Sequence, residues 1–248
     1  MKKLYEKNVL AFALVWIGIY CLVQSLANPL NELIGIPYIA SALFCLLQAI
    51  FLFHFIYKNG LMERCGLCRS TVPAARFLFY IPLIILSTTN FWNGTALNLN
   101  AAGTVCYIVC MLFVGFVEEV IFRGFLFNAL AKDSVKSAII LSSVSFGLGH
   151  LLNLVNGSGA ELTENLFQVT GAIALGYLFV VLFYRGGSLL PCIISHSAIN
   201  VTSVFAKETG LSAEKRILSH LLLLVIALCY ALILNKTLPE KAEKDTSQ

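Results

Sequence analysis

Charge is what this sequence of 248 residues has least of. Asp, Glu, Lys and Arg supply 12% of it, about half the share found in a soluble domain, while 58% is hydrophobic and mean hydropathy is +0.84. So little charge cannot clothe a water-exposed surface, which makes the chain an integral membrane protein. The formal net charge of +4 gives no support to a nucleic-acid partner. No polar stretch is long enough to fold alone, so residues 1–236 are expected to form one membrane domain, followed by a disordered polar tail at 237–248. The cysteines offer no disulfide framework. Cys21, Cys45, Cys106, Cys110, Cys192 and Cys229 lie in apolar runs, where cysteine acts as a small buried hydrophobe. The loop pair Cys65 and Cys68 lacks the second pair or the histidine that a structural zinc requires. No HExxH occurs, and no inverted repeat with broken helices in matching positions.

What is present is a series of apolar runs. Eight are legible: Val9 to Ala27, Pro37 to Tyr57, Phe77 to Thr89, Thr104 to Phe127, Ser137 to Leu154, Phe167 to Tyr184, Leu189 to Phe205 and Ile217 to Leu234. They predict an all-α, polytopic membrane bundle of about eight transmembrane helices. Asn28 to Ile36, with Pro29 and Gly35, is the turn expected between the first two. Ser25-Leu26-Ala27 resembles a signal-cleavage site after a basic start, but the run before it fills a membrane-length helix and is read as an uncleaved span. With alternating spans, all 17 Lys and Arg except Lys207, Lys215 and Arg216 fall toward one side. Cytoplasmic loops are enriched in Lys and Arg, so both termini are expected in the cytoplasm.

Inside the fourth run stand two adjacent acids, Glu118 and Glu119, with Arg123 four residues on. Carboxylates at that depth cost several kcal/mol unless something compensates them. On a helix Glu119 and Arg123 share a face and pair. Glu118 points about 100° away and has no basic residue within a turn, so its partners must come from elsewhere in the chain. Two other runs hold candidates: Phe146 with His150, and Asn153 one turn on; and His196 with Asn200, spaced i, i+4. At 1.5 Å per residue, Glu118 and His196 both fall about 10 Å from the cytoplasmic edge and His150 about 20 Å from it.

A carboxylate and a histidine in a confined site can hold a water and take its proton. A second histidine with an asparagine on its face offers donors to the oxyanion of an attacked carbonyl. Together these describe amide hydrolysis. Two alternatives use the same groups: Glu118, His150 and His196 as three ligands to a catalytic zinc, or the carboxylates as the coupling groups of a proton- or ion-driven transporter. A non-catalytic scaffold or immunity protein is a third. Because His196 has Asn200 on its own face, a metal-free site is the expectation, with no cofactor.

The three motifs Glu-Glu-x-x-x-Arg (118–123), Phe-x-x-x-His (146–150) and His-x-x-x-Asn (196–200) resemble those of the CPBP intramembrane proteases, the Abi or type II CAAX prenyl endopeptidase group. The resemblance covers residues 101–205. It implies Glu118 as general base, His150 as the group that positions the water, His196 and Asn200 as the oxyanion site, and Glu119 and Arg123 as support; by position alone Phe146 is expected to pack and Asn153 to end the helix or back the site. It further implies a membrane-associated or lipidated peptide or protein as substrate, and the small loops suggest a bacterial plasma membrane. The family has been described as both metallo- and glutamic proteases.

Overall fold

The computed structural model describes residues 1–151, 162–207 and 209–239. Among these the chain is helical, with one antiparallel bridge, Thr95 to Ala206, and no strand. A short helix α1 (Lys2–Lys7) leads into α2 (Val9–Ile34), where the Asn8 side chain caps the first turn by accepting from Ala11 N–H at 2.9 Å. The turn expected at Asn28 is absent. The helix runs on through Pro29 to Ile34 and stops at Gly35, whose φ of 78° is the left-handed conformation that ends helices. Asn31 explains the extension: its Oδ1 accepts from Ala40 N–H at 2.8 Å and its Nδ2 donates to Ser41 Oγ at 2.8 Å, so the last turn of α2 caps the start of α3 (Ile39–Lys58).

The third expected span is broken. Leu78, Phe79 and Tyr80 have φ of 51°, 51° and 59°, a conformation that costs about 1–2 kcal/mol per L-residue. The regular helix that follows, α4 (Ile81–Ser87), has 7 residues and rises about 10 Å, a third of a hydrocarbon core. Neighbouring contacts hold the break in place. Phe77 stacks on Tyr80 at 5.0 Å, and its carbonyl accepts from Tyr230 Oη at 2.7 Å.

At the centre of the bundle α5 (Ala101–Glu119) continues into a π-helical stretch, Val120–Phe127, and then α6 (Asn128–Leu130). Every residue from Val120 to Phe127 is buried, because α2 and α7 (Val135–Gly149) pack against this stretch while α3 and α9 (Leu190–Thr202) pack against α5. The wider π turn shifts backbone carbonyls away from their usual partners, and side chains meet two of them: Ser142 Oγ donates to Phe122 O at 2.9 Å and Asn128 Nδ2 to Gly124 O at 2.9 Å. The two remaining long helices, α8 (Leu162–Gly186) and α10 (Ala213–Thr237), pack against each other, and α8 also packs on α7. Leu14, Leu22, Leu43, Leu47, Leu218 and Leu232 are each at least 52% exposed on the outer helices. Such a belt suits contact with acyl chains. Among the described residues six helical segments, the broken 74–91 among them, are long and apolar enough to cross a membrane, and the protein is a multi-pass membrane protein. The fifth and seventh expected spans are the two shorter apolar helices, α7 and α9.

Glycine sets two of these contacts. A Cβ at Gly147 would lie 2.3 Å from Ile173 Cγ1, and one at Gly115 would lie 2.3 Å from Ser197 Oγ and 2.8 Å from Ser197 N. Gly115 therefore fixes how closely α5 approaches α9, next to His196. Gly115→Ala is expected to cost about 1–3 kcal/mol of stability and lower the melting temperature in detergent. Gly18→Ala, on α2 with nothing within 4 Å, should leave it unchanged or raise it. Equal melting temperatures for the two variants would contradict this packing account.

Of the two loop cysteines, Cys65 is packed into the interior and Cys68 is partly exposed. Cys65 is fully buried, its Sγ lies 3.9 Å from Gly124 O, and burial pushes its thiol up to about 12. Such a dry setting is the opposite of the exposed, electropositive one in which a redox nucleophile is found.

Candidate active site

Glu118 and Glu119 occupy the last turn of α5, just before the π stretch, and so point to different neighbours. Glu119 Oε1 accepts from Arg123 Nη1 at 3.0 Å, with both side chains 0% exposed. The same oxygen lies 2.9 Å from His196 Nδ1. Arg123 also donates through Nη2 to Gly176 O at 3.3 Å, and its guanidinium lies 4.3 Å from the centre of the Phe146 ring. A cation on an aromatic face in a dry interior is worth about 2 kcal/mol. Glu119 Oε2 and Arg123 Nε have no partner among the described residues.

Glu118 finds the partners that its own helix lacks. Its Oε2 lies 3.4 Å from His196 Nε2, and its Oε1 accepts from Tyr20 Oη at 2.6 Å. The two nitrogens of His196 therefore face the two adjacent carboxylates, one each. His196 is carried by α9, which stands close to α5 because Gly115 and Ser197 are in contact and Ser197 Oγ donates to Leu112 O at 3.0 Å.

Phe146 packs at the hub of the cluster. Its ring meets His150 at 5.7 Å, His196 at 5.5 Å and Phe122 at 5.4 Å, each close to edge-on. His150 follows the last residue of α7. Its ring and the Asn200 amide make no hydrogen bond among the described residues, and both groups are only partly buried. His150 is within Coulombic reach of Glu118 and His196. Asn200 is one turn beyond His196 on α9. Asn153 lies outside the described residues. The sequence reasoning did not name Tyr20, Phe179 or Gly176. Phe179 lies 5.9 Å from the His196 ring and 5.8 Å from the Arg123 guanidinium, a role that nothing in a run of apolar residues marks.

A catalytic zinc would need three ligands at about 2.0–2.2 Å. Glu118 Oε2 and His196 Nε2 face each other, and His196 Nδ1 is tied back to Glu119 as a metal-bound histidine's free nitrogen usually is. The argument against a metal drawn from Asn200 sharing a face with His196 therefore does not hold, since the other ring nitrogen is tied back to Glu119. A different observation counts against the fit. No group of 3 or more His, Cys, Asp or Glu side chains among the described residues is placed to hold an ion, so His150 does not complete the set.

Chemically, the cluster is a slightly exposed carboxylate facing a buried imidazole, backed by a fully buried ion pair, at the meeting point of α2, α5, α7 and α9. No curated protein and no solved structure matches the chain. A family model does match: residues 100–202 fit the type II CAAX prenyl endopeptidase Rce1-like family, over the stretch that holds Glu118, Glu119, Arg123, Phe146, His150, His196 and Asn200. Residues 100–202 are thus similar to the type II CAAX prenyl endopeptidase Rce1-like family, a similarity that supports a CAAX-type intramembrane protease in general terms.

Proposed function

We propose that the protein is an intramembrane endopeptidase in which Glu118 activates a water against a peptide bond of a lipidated or membrane-spanning substrate, within a bacterial plasma membrane. The observation that carries this reading is the meeting of Glu118 Oε2 and His196 Nε2, from separate helices, at 3.4 Å beside a buried Glu119–Arg123 pair. Glu118 Oε2 takes a proton from a water held by His150, and the water oxygen forms a bond to the carbonyl carbon. The carbonyl electron pair moves onto oxygen, where His196 Nε2–H and the Asn200 amide stabilise it. Collapse breaks the C–N bond, and the proton on Glu118 goes to the leaving nitrogen.

For His196 to donate from Nε2 while Nδ1–H bonds Glu119, the ring carries both protons. Two cations, Arg123 and His196, then balance two carboxylates, Glu118 and Glu119. A neutral cluster is what a desolvated site tolerates best. Glu119 thereby holds His196 in the required protonation state as well as pairing with Arg123, much as the acid of a hydrolytic triad holds its histidine.

The test is purified protein in detergent incubated with farnesylated peptides ending in a CAAX sequence and with membrane-spanning peptides, scored for cleavage by mass spectrometry. Cleavage is expected from the wild type. Metal content and activity after prolonged chelation are measured on the same sample. Activity is expected to survive chelation, because His150 does not close a three-ligand set with Glu118 and His196. Stoichiometric zinc, with activity lost on chelation and restored by zinc alone, would recast those three residues as ligands. Substrate-independent proton flux in liposomes with no cleavage would favour a transporter instead.

A further inference from the structure

The contact that the family-matched stretch does not contain is the hydroxyl on Glu118. Tyr20 is near the middle of α2, 98 residues before Glu118 and outside residues 100–202. Its Oη–Oε1 distance of 2.6 Å is in the range of a charge-assisted O–H···O⁻ bond, about 2.5–2.7 Å. An ionised carboxylate only accepts, so the tyrosine is the donor. The helix that carries it is held against two neighbours. α2 packs along the π stretch and α3, and one turn on from Tyr20, Gln24 Nε2 reaches Cys45 Sγ on α3 at 2.9 Å.

This geometry makes the two oxygens of Glu118 unequal. Oε1 is occupied by Tyr20, whereas Oε2 faces His196 at a distance too long for a good hydrogen bond, 3.4 Å. A base whose carboxylate rotates freely would spread its proton-accepting lone pairs over many directions. One whose first oxygen is pinned presents the second in a single direction. We propose that Tyr20 is a positioning residue of the hydrolytic site: by holding Oε1 it aims Oε2 at the water, so that the N-terminal helix completes an active site otherwise built from residues 100–202. The inference rests on Glu118 being the general base.

The experiment compares wild type, Tyr20→Phe, Gln24→Leu and Glu118→Gln on one cleaved farnesylated CAAX peptide, with melting temperatures alongside. Tyr20→Phe keeps the ring and removes only the donor. It is expected to lower kcat by about 10- to 100-fold, with KM and melting temperature unchanged. Gln24→Leu, on the same helix but bonded to Cys45, should keep wild-type kcat. An independent readout needs no substrate: the infrared carboxylate band that disappears in Glu118→Gln should shift in Tyr20→Phe. A wild-type kcat and an unshifted band in Tyr20→Phe, with Glu118→Gln inactive, would overturn the Tyr20 assignment and leave the base intact. So would an equal loss in Gln24→Leu, or a loss that comes only with a lower melting temperature. An active Glu118→Gln would instead remove the reading on which the inference stands.

Discussion

Glu118→Gln is expected to leave a folded, abundant protein that turns over substrate at least about a thousandfold more slowly, within the range that general base catalysis contributes. The substitution is nearly isosteric. The new amide oxygen still accepts from Tyr20 at the position of Oε1, so α2 stays docked. What disappears is the lone pair on Oε2 and the negative charge that His196 faces. The desolvation cost of a carboxylate whose side chain is only 12% exposed is relieved, and His196 can shed one proton to keep the cluster neutral, so the melting temperature should change little. The pair of measurements decides the role. Lost activity with retained melting temperature assigns the proton transfer to Glu118, whereas retained activity would move the base elsewhere, most simply to Glu119.

The part of this site legible in the sequence is the part encoded by helical spacing. Glu119 with Arg123 follows from i, i+4, and the same rule shows that Glu118 needs a partner from another element. Which partner is a matter of how helices cross, and periodicity carries no such information. His196 reaches both acids because α9 is in contact with α5 at Gly115, and Tyr20 reaches Glu118 because α2 lies along the π stretch. Hydropathy identified the apolar runs but could not show where they bend. Leu78 to Tyr80 read as the start of a span, yet the chain leaves the helical region there because contacts from Tyr230 and within the Phe77–Tyr80 stack favour the break. Pro29 read as a stop, yet Asn31 is more useful to the fold as a cap for α3. The π stretch leaves no trace in residue type, since the donors that meet its carbonyls, Ser142 and Asn128, serve equally well elsewhere in helices.

Arg123→Met should be among the most destabilising single changes in the protein, at about 3–5 kcal/mol, because it strands a carboxylate in a place that water does not reach. Arg123 and Glu119 are both 0% exposed, so neither charge can turn toward solvent when the other is lost. Glu119 would keep only His196, while Gly176 O would lose its donor and Phe146 its cation. For a chain of this size the cost corresponds to a fall in melting temperature of roughly 6–20 °C. Glu119→Gln should be destabilising for the mirror-image reason, an uncompensated guanidinium. The double variant, Glu119→Gln with Arg123→Met, removes both charges and is expected to regain most of the lost stability. Activity should not return with it. A glutamine still accepts from His196 Nδ1–H, but it has no charge to favour the doubly protonated ring that donates to the oxyanion. Separating the two readouts is the point of the comparison. A double variant as active as the wild type would reduce Glu119 to a structural partner of Arg123, and an Arg123→Met protein as stable as the wild type would mean that the buried pair contributes nothing to holding α5 in the bundle.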